Sequence, residues 1–363
     1  MQPSRDHLPA LGVVIVTYCA ADFIADCLES LLASGYPALR IAVVDNASPD
    51  GTAEAIADWA AGTRDFIRPD DWADSWPDPV PKPLAFVRVP PGTTAPRPFP
   101  QLALIEAGAN LGFAGGVNLG LRALAADRDI DHFWILNPDT LVPPQTPEEL
   151  IAAALGMDRY AVIGARIVFR DAPATVQMDG GRINRLTGTS IAVNLGQPAD
   201  TTPLPDASDL DFISGGHMLA SRDFLDRAGL MEERYFLYYE EVDWQLRRGD
   251  LPLGFAAGAE IRHSVGVSIG SGGRSLTPAP FSVYFMSRNL LVFVARWFPW
   301  RLPFAYLLAY LRLARHWDGS WAQISAMLRG LHRMGPPQAV RTRLPEATWA
   351  RVLGRRRAGG TQL

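Results

Sequence analysis

Leu11-Gly-Val-Val-Ile-Val-Thr17 and Ile41-Ala-Val-Val-Asp-Asn46 are two uninterrupted apolar runs, each closed by polar residues. Between them Phe23 to Leu32 is amphipathic, and a helix is expected after the turn Ser48-Pro-Asp-Gly51. The order βαβα calls for an α/β fold with a mostly parallel sheet and helices packed on it. Neither run alternates, so both strands are expected to be covered on both faces. Ligands of open α/β sheets bind beyond the carboxyl ends of the strands, which makes Thr17, Tyr18, Asp45 and Asn46 candidate contacts.

Outward from this start the pattern dissolves between about Thr63 and Pro100, a stretch rich in Pro, Asp and Trp. Pro removes ladder donors and turns its predecessor away from helix, so this reads as an inserted loop with one strand at Leu84 to Val89. The α/β pattern resumes at Leu102 to Glu106, passes a glycine-rich turn and a helix over Leu119 to Ala125, and reaches a strand at His132 to Leu136. Hairpins are expected from Gln177 and a strand at Asp211 to Ile213. A helix over Glu240 to Arg248 and a strand reaching Ile261 follow, and the chain after Pro280 reads as helical and Arg-rich. No internal repeat is evident.

The chain has 363 residues, 48% hydrophobic and 20% charged, enough to bury one large core with an appended segment. A net charge of −4 argues against nucleic acid as a partner, because phosphate binding needs a basic surface. The charge is uneven, however: from Arg296 onward about a dozen arginines face only Asp318 and Glu346, which suits an anionic membrane surface. Two cysteines, Cys19 and Cys27, require no disulfide framework and fit a reducing compartment. Asp6 and Pro9, rather than a basic cluster, precede the first apolar run, so it is a strand and not a signal-peptide core. The longest helical candidate, Asn289 to Leu311, is broken by Arg296 and Arg301 and is not expected to span a bilayer.

Chemistry is concentrated in four short segments. Phe133-Trp-Ile-Leu-Asn-Pro-Asp139 is a strand ending in a carboxylate, placed to hold Mg²⁺ or Mn²⁺ against a nucleoside diphosphate leaving group. His263, after the last strand, would be a second ligand through a neutral imidazole. In Glu240-Glu-Val-Asp-Trp-Gln-Leu-Arg247 helical spacing pairs Asp243 with Arg247, while Glu241 projects about 100° from Glu240. A carboxylate there suits a general base that takes a proton from an attacking hydroxyl: Glu241 first, Glu240 close behind, with Asp243 completing the acidic set. Asn110-Leu-Gly112-Phe113-Ala-Gly-Gly-Val-Asn118 and Ser214-Gly215-Gly216-His217 let backbone approach a ligand. The glycines do not form the G-x-G-x-x-G fingerprint after the first strand, which disfavours a nicotinamide enzyme.

Taken in order, from about Leu11 to Ser268, these segments resemble the rhamnosyltransferase-like branch of the family 2 glycosyltransferases. The resemblance implies the GT-A fold, with Asp45 at the nucleotide base, Thr17 at the nucleoside and the glycine segment beside the donor. It matches Asn137-Pro-Asp139 to the family's Asp-x-Asp metal motif, places His263 as a metal ligand and makes the second acid of the helix the base. That acid is Glu241 where the family has Asp, and the insertion at 63–100 is a second departure.

The expected organisation is a GT-A domain over residues 1–275, a helical region over 276–335 with a place at the membrane, and a basic tail over 336–363. The expected reaction is inverting transfer of rhamnose or a similar sugar from dTDP-rhamnose or a UDP-sugar to a glycan or lipid-linked acceptor, in cell-surface polysaccharide synthesis. Its expected place is the cytoplasm, peripheral on the inner face of the membrane, where Trp297, Phe298, Trp300, Phe304 and Tyr306 beside Arg296, Arg301, Arg312 and Arg315 would lie in the interface. Two rivals stand beside it: a non-catalytic sugar-nucleotide-binding or scaffold protein of the same fold, and a nucleotidyltransferase, which should carry a basic triphosphate loop after its first strand.

Overall fold

The computed structural model describes residues 8–74, 76–264, 278–315 and 320–354. The expected domain end at 275, the end of the resemblance at Ser268, the side chains of Arg312 and Arg315 and the tail from 355 lie outside the described residues.

The βαβα start is β1 (Ala10–Thr17), α1 (Ile24–Ala33), β2 (Leu39–Asp45) and α2 (Thr52–Ala61). The insertion contains β3 (Phe86–Val89), and β4 (Leu102–Glu106), α3 (Gly112–Ala125) and β5 (Ile130–Leu136) follow. Next come β6 (Thr140–Leu141), α4 (Thr146–Leu155), β7 (Val162–Phe169), β8 (Ala172–Met178) and the hairpin β9 (Gly181–Ile183) with β10 (Ser190–Ala192). The site half closes with β11 (His217–Ser221), α5 (Arg222–Ala228), α6 (Glu240–Leu246) and β12 (Leu253–His263). The helices α7 (Pro280–Trp297), α8 (Leu302–Arg315), α9 (Trp321–Leu331), α10 (Gln338–Arg341) and α11 (Glu346–Val352) make up the rest.

One ten-stranded sheet runs in the order β3-β4-β2-β1-β5-β11-β7-β12-β6, with β8 on β7. Strands β3, β4, β2, β1 and β5 pair in parallel, and β11 reverses direction between β5 and β7. The expected α/β architecture, a mostly parallel sheet flanked by helices, is therefore present. Val13, Val14 and Ile15 are all fully buried, and they divide between two cores on opposite faces of the sheet, as their lack of alternation predicts.

Two sequence expectations change. Helix α3 starts at Gly112, not Leu119, because its glycines make a smooth face: a Cβ on Gly116 or Gly120 would come within 2.6 Å of Val16 or Val14 on β1. Of the glycines of α3, Gly116 and Gly120 thus serve close packing of helix on strand. The run Asp211 to Ile213 forms a single bridge to Gly181 instead of a strand, and β11 begins at His217.

The insertion is fastened down. The carboxylate of Glu29, fully buried on α1, accepts from Trp59 Nε1 and Lys82 Nζ, both at 2.8 Å. Arg170 pairs with Asp71 and Asp26, and Arg262 donates to the Asp71 carbonyl while lying over the Trp76 ring. The loop thus packs beside the strand end that carries His263.

Candidate active site

The carboxyl ends of β1 and β2 are tied by Thr17 Oγ1, which donates to Asp45 Oδ1 at 3.1 Å, and Ser48 N–H donates to the other Asp45 oxygen at 3.1 Å. Asn46 Nδ2 donates to the Gly112 carbonyl at 3.0 Å, joining β2 to the start of α3. Above these ends lies a cleft of about 350 Å³, bordered by Tyr18, Asn46, Asn110, Gly112, Phe113 and Asn137. Thr17 and Asp45 form its buried foundation, 0% and 4% exposed.

Asp139 and His263 meet because the two-residue strand β6, directly after Asn137-Pro-Asp139, pairs antiparallel with the last residues of β12. Asp139 Oδ1 lies 3.1 Å from His263 Nε2, and the Ser264 N–H donates to the Asp139 carbonyl. Asn137 Nδ2 is 3.0 Å from the same imidazole nitrogen. The other ring nitrogen, Nδ1, lies 2.9 and 3.0 Å from the Gln177 amide nitrogen and oxygen; with the oxygen as acceptor Nδ1 carries the proton and Nε2 is left as a ligand. One buried carboxylate and one imidazole, with an amide beside them, fit Mg²⁺ or Mn²⁺ completed by diphosphate and water oxygens. Among the described residues no group of three or more His, Cys, Asp and Glu forms a closed metal cage.

The loop Ser214–Gly216 connects this pair to the acids. Asn137 N–H donates to the Gly216 carbonyl at 3.0 Å, and a Cβ on Gly215 would stand 3.3 Å from Glu241 Cβ and Cγ and 3.5 Å from the Phe113 ring. Gln245 on α6 exchanges two 2.7 Å hydrogen bonds with the backbone of Ile213, which locks the loop over the helix. His217, at the loop's end, is fully buried, accepts from Trp134 Nε1 and is held neutral by burial, its pKa near 3.

Glu240 and Glu241 open α6 next to each other. Burial raises the carboxyl pKa of Glu241 above the usual range, and raises that of Glu240 well above it, with the Glu241 charge adding to the second shift. The two carboxyls therefore titrate as a pair, in which burial and mutual repulsion disfavour a second negative charge. Asp243, grouped with the catalytic acids on sequence, is elsewhere: its fully buried carboxylate sits between Arg247, Arg296, Tyr235 Oη and Trp297 Nε1. It anchors α6 and does not reach the cleft. Asn118 is likewise engaged, exchanging hydrogen bonds with the Met231 backbone and donating to Glu233.

Sequence reasoning missed the device that aims α6. Phe236, Tyr238 and Tyr239 have φ of 66°, 69° and 76°, conformations that L-residues avoid. Asn289 on α7 holds this turn, its Nδ2 within 2.7–3.0 Å of the carbonyls of Tyr235, Leu237 and Tyr238, and Arg288 donates to the carbonyl of Arg234. The turn meets α3 where Phe113 N–H donates to the Phe236 carbonyl. A Cβ on Gly112 would lie 2.4 Å from that same oxygen, so here glycine is required.

Residues 12–70 match the model for glycosyl transferase family 2. The low-salt glycan biosynthesis hexosyltransferase Agl10 of Haloferax volcanii is 24% identical over 51% of this chain and 57% of its own length. The N-acetylglucosaminyl-diphospho-decaprenol L-rhamnosyltransferase of Mycobacterium tuberculosis is 25% identical over 66% of this chain and 70% of its own. The chain thus spans little more than half of the first relative and 70% of the second. A solved mannosyltransferase from Pyrobaculum calidifontis, in complex with GDP-Man and Mn²⁺, aligns over 97% of this chain and 88% of its own with 15% identity and a TM-score of 0.47. On the family model over residues 12–70 and on both curated relatives, the chain resembles the family 2 glycosyltransferases, the kinship implied by the order of its motifs.

Proposed function

We propose that this protein is an inverting glycosyltransferase that moves rhamnose or a similar sugar from a nucleoside diphosphate donor to a hydroxyl of a glycan or lipid-linked acceptor in cell-surface polysaccharide synthesis. The observation that carries the reading is the convergence of Asp139, His263 and Glu241 around the Ser214–Gly216 loop, beyond the strand ends. The acceptor oxygen attacks the anomeric carbon from the face opposite the diphosphate. Its proton passes to the Glu241 carboxylate as the bond from carbon to diphosphate oxygen breaks, which inverts the configuration. Burial and repulsion disfavour charging Glu240 and Glu241 together, so one negative charge on the pair is enough for this role. Asp139 and His263 would hold Mg²⁺ or Mn²⁺, whose positive charge stabilises a departing diphosphate. The named activity of the mycobacterial relative supports a rhamnosyl donor, for which dTDP-rhamnose is the first candidate and UDP-sugars the next.

Purified protein incubated with a panel of sugar nucleotides and either metal is expected to release nucleotide from one donor, slowly with water and faster with acceptor. Binding of a donor without turnover on any lipid-linked or glycan acceptor would favour the non-catalytic reading.

The place of action has its own support. Trp297 and Phe298 pack into the core with Tyr306, so of the five aromatics expected at the interface only Trp300 and Phe304 face outward, 70% and 54% exposed. Leu307 and Leu311 continue the stripe along α8, and Trp321 stands out from α9 at 76%. No described helix is long and apolar enough to cross a membrane. An apolar stripe on an Arg-rich region fits a helix lying in the plane of an anionic bilayer. The full chain is expected to float with phosphatidylglycerol vesicles and not with phosphatidylcholine ones, and Phe304→Ser with Leu307→Ser to remain behind; flotation unchanged by the pair would remove the stripe from the contact.

A further inference from the structure

The proposed donor carries at least two negative charges, yet the strand ends beneath the cleft supply carboxylates, Asp45 and Asp139. Beyond the cation that Asp139 and His263 would hold, positive charge in reach of the cleft comes from the opposite wall. That wall belongs to the end of the described chain: Phe281 from α7, and Arg343 and Leu344 between α10 and α11. Among the described residues that line the cleft, Arg343 is the only cation.

Two arginines in this segment are treated differently. Arg341 is neutralised by Glu346 through two hydrogen bonds of 2.6 and 2.8 Å. Arg343 makes no side-chain hydrogen bond or ion pair among the described residues, and its guanidinium stands over the Phe281 ring at 5.5 Å. Its charge is felt by Tyr18 and Cys19 across the cleft, opposing the rise that burial gives both.

The segment is anchored in spite of its position near the end of the chain. Leu344 is buried in a cluster with Phe236, Phe281 and Trp349. The Trp349 ring stacks on Phe285 at 5.7 Å and 11°, and its Nε1 donates to the Arg341 carbonyl, while Arg288 donates to that of Val352. Arg288 is also the neighbour of Asn289, so one turn of α7 fixes both the approach to Glu241 and this segment.

We propose that Arg343 receives the diphosphate of the donor, so that the segment from Gln338 to Val352 completes the donor site. A planar guanidinium offers paired N–H groups to phosphate oxygens, and its contact with the Phe281 ring holds it in place without consuming those donors. The inference rests on the donor class named above.

Binding of UDP and dTDP, and of uridine and thymidine, is measured by calorimetry with Mg²⁺ on the full chain as wild type, Arg343→Ala and Arg343→Lys. Arg343→Ala is expected to weaken diphosphate binding by about 10- to 100-fold, with nucleoside binding little changed and Arg343→Lys in between. Unchanged diphosphate affinity in Arg343→Ala, or an equal loss for nucleoside and diphosphate with an unaltered thermal midpoint, overturns the assignment alone. A wild type that binds neither diphosphate overturns the donor reading as well.

Discussion

Glu241→Gln is expected to lower turnover by about 10²- to 10⁴-fold at saturating donor and acceptor, the usual contribution of a positioned base, with donor affinity unchanged. Glu240→Gln is expected to stay within about tenfold of wild type, because Gln keeps the shape of the carboxyl and leaves Glu241 in place as the base. The contrast separates two adjacent residues that sequence could only rank. Since the base must be ionised and burial raises its pKa, the rising limb of turnover against pH should lie above the ordinary carboxylate value of about 4.3. The two acids titrate as a pair, so Glu240→Gln should also reduce that limb to a single ionisation. Near wild-type turnover in Glu241→Gln would dismiss it as the base.

Asp139→Ala is expected to cost about 10³-fold or more in donor turnover, from the several kcal/mol of charge stabilisation that a cation lends a departing phosphoryl oxygen. The variant should also lose its response to added Mn²⁺, which separates this defect from that of Glu241→Gln, where metal dependence persists. Because Asp139 is 2% exposed and lies against His263, the Ala variant needs a thermal midpoint beside it. If nucleotide release in Asp139→Ala still rises with Mn²⁺ as in wild type, the metal is held elsewhere.

How much of this was legible in the sequence depended on whether a residue announced itself through a pattern. Strands β1 and β2 did, since continuous apolar runs have few other uses, and the metal motif did because a carboxylate ends an apolar strand. Glu241 was marked by its helix. Asp243 was misjudged since helical spacing places it near the acids, whereas its partners Arg296 and Trp297 come from more than 50 residues away. Gln177, Asn289 and Arg343 carried no local signal at all. Each is a single polar residue in an ordinary segment, and its meaning lies in a neighbour distant along the chain: His263, the Tyr235–Tyr238 carbonyls and the donor cleft. The glycines of α3 misled in another way, as only the structure distinguishes a glycine that admits a strand from one that admits a ligand.

Three carbonyls of a strained turn depend on one amide side chain, Asn289, which the ribosome makes well after the acids it positions. The sheet can assemble cotranslationally from strands already synthesised by then, but the geometry of the first turn of α6 has to wait for α7 to emerge. A released chain ending before residue 280 should therefore resist proteolysis across its sheet while remaining cleavable at Phe236–Tyr239, so that activity is acquired in a late docking step, distinct from formation of the fold.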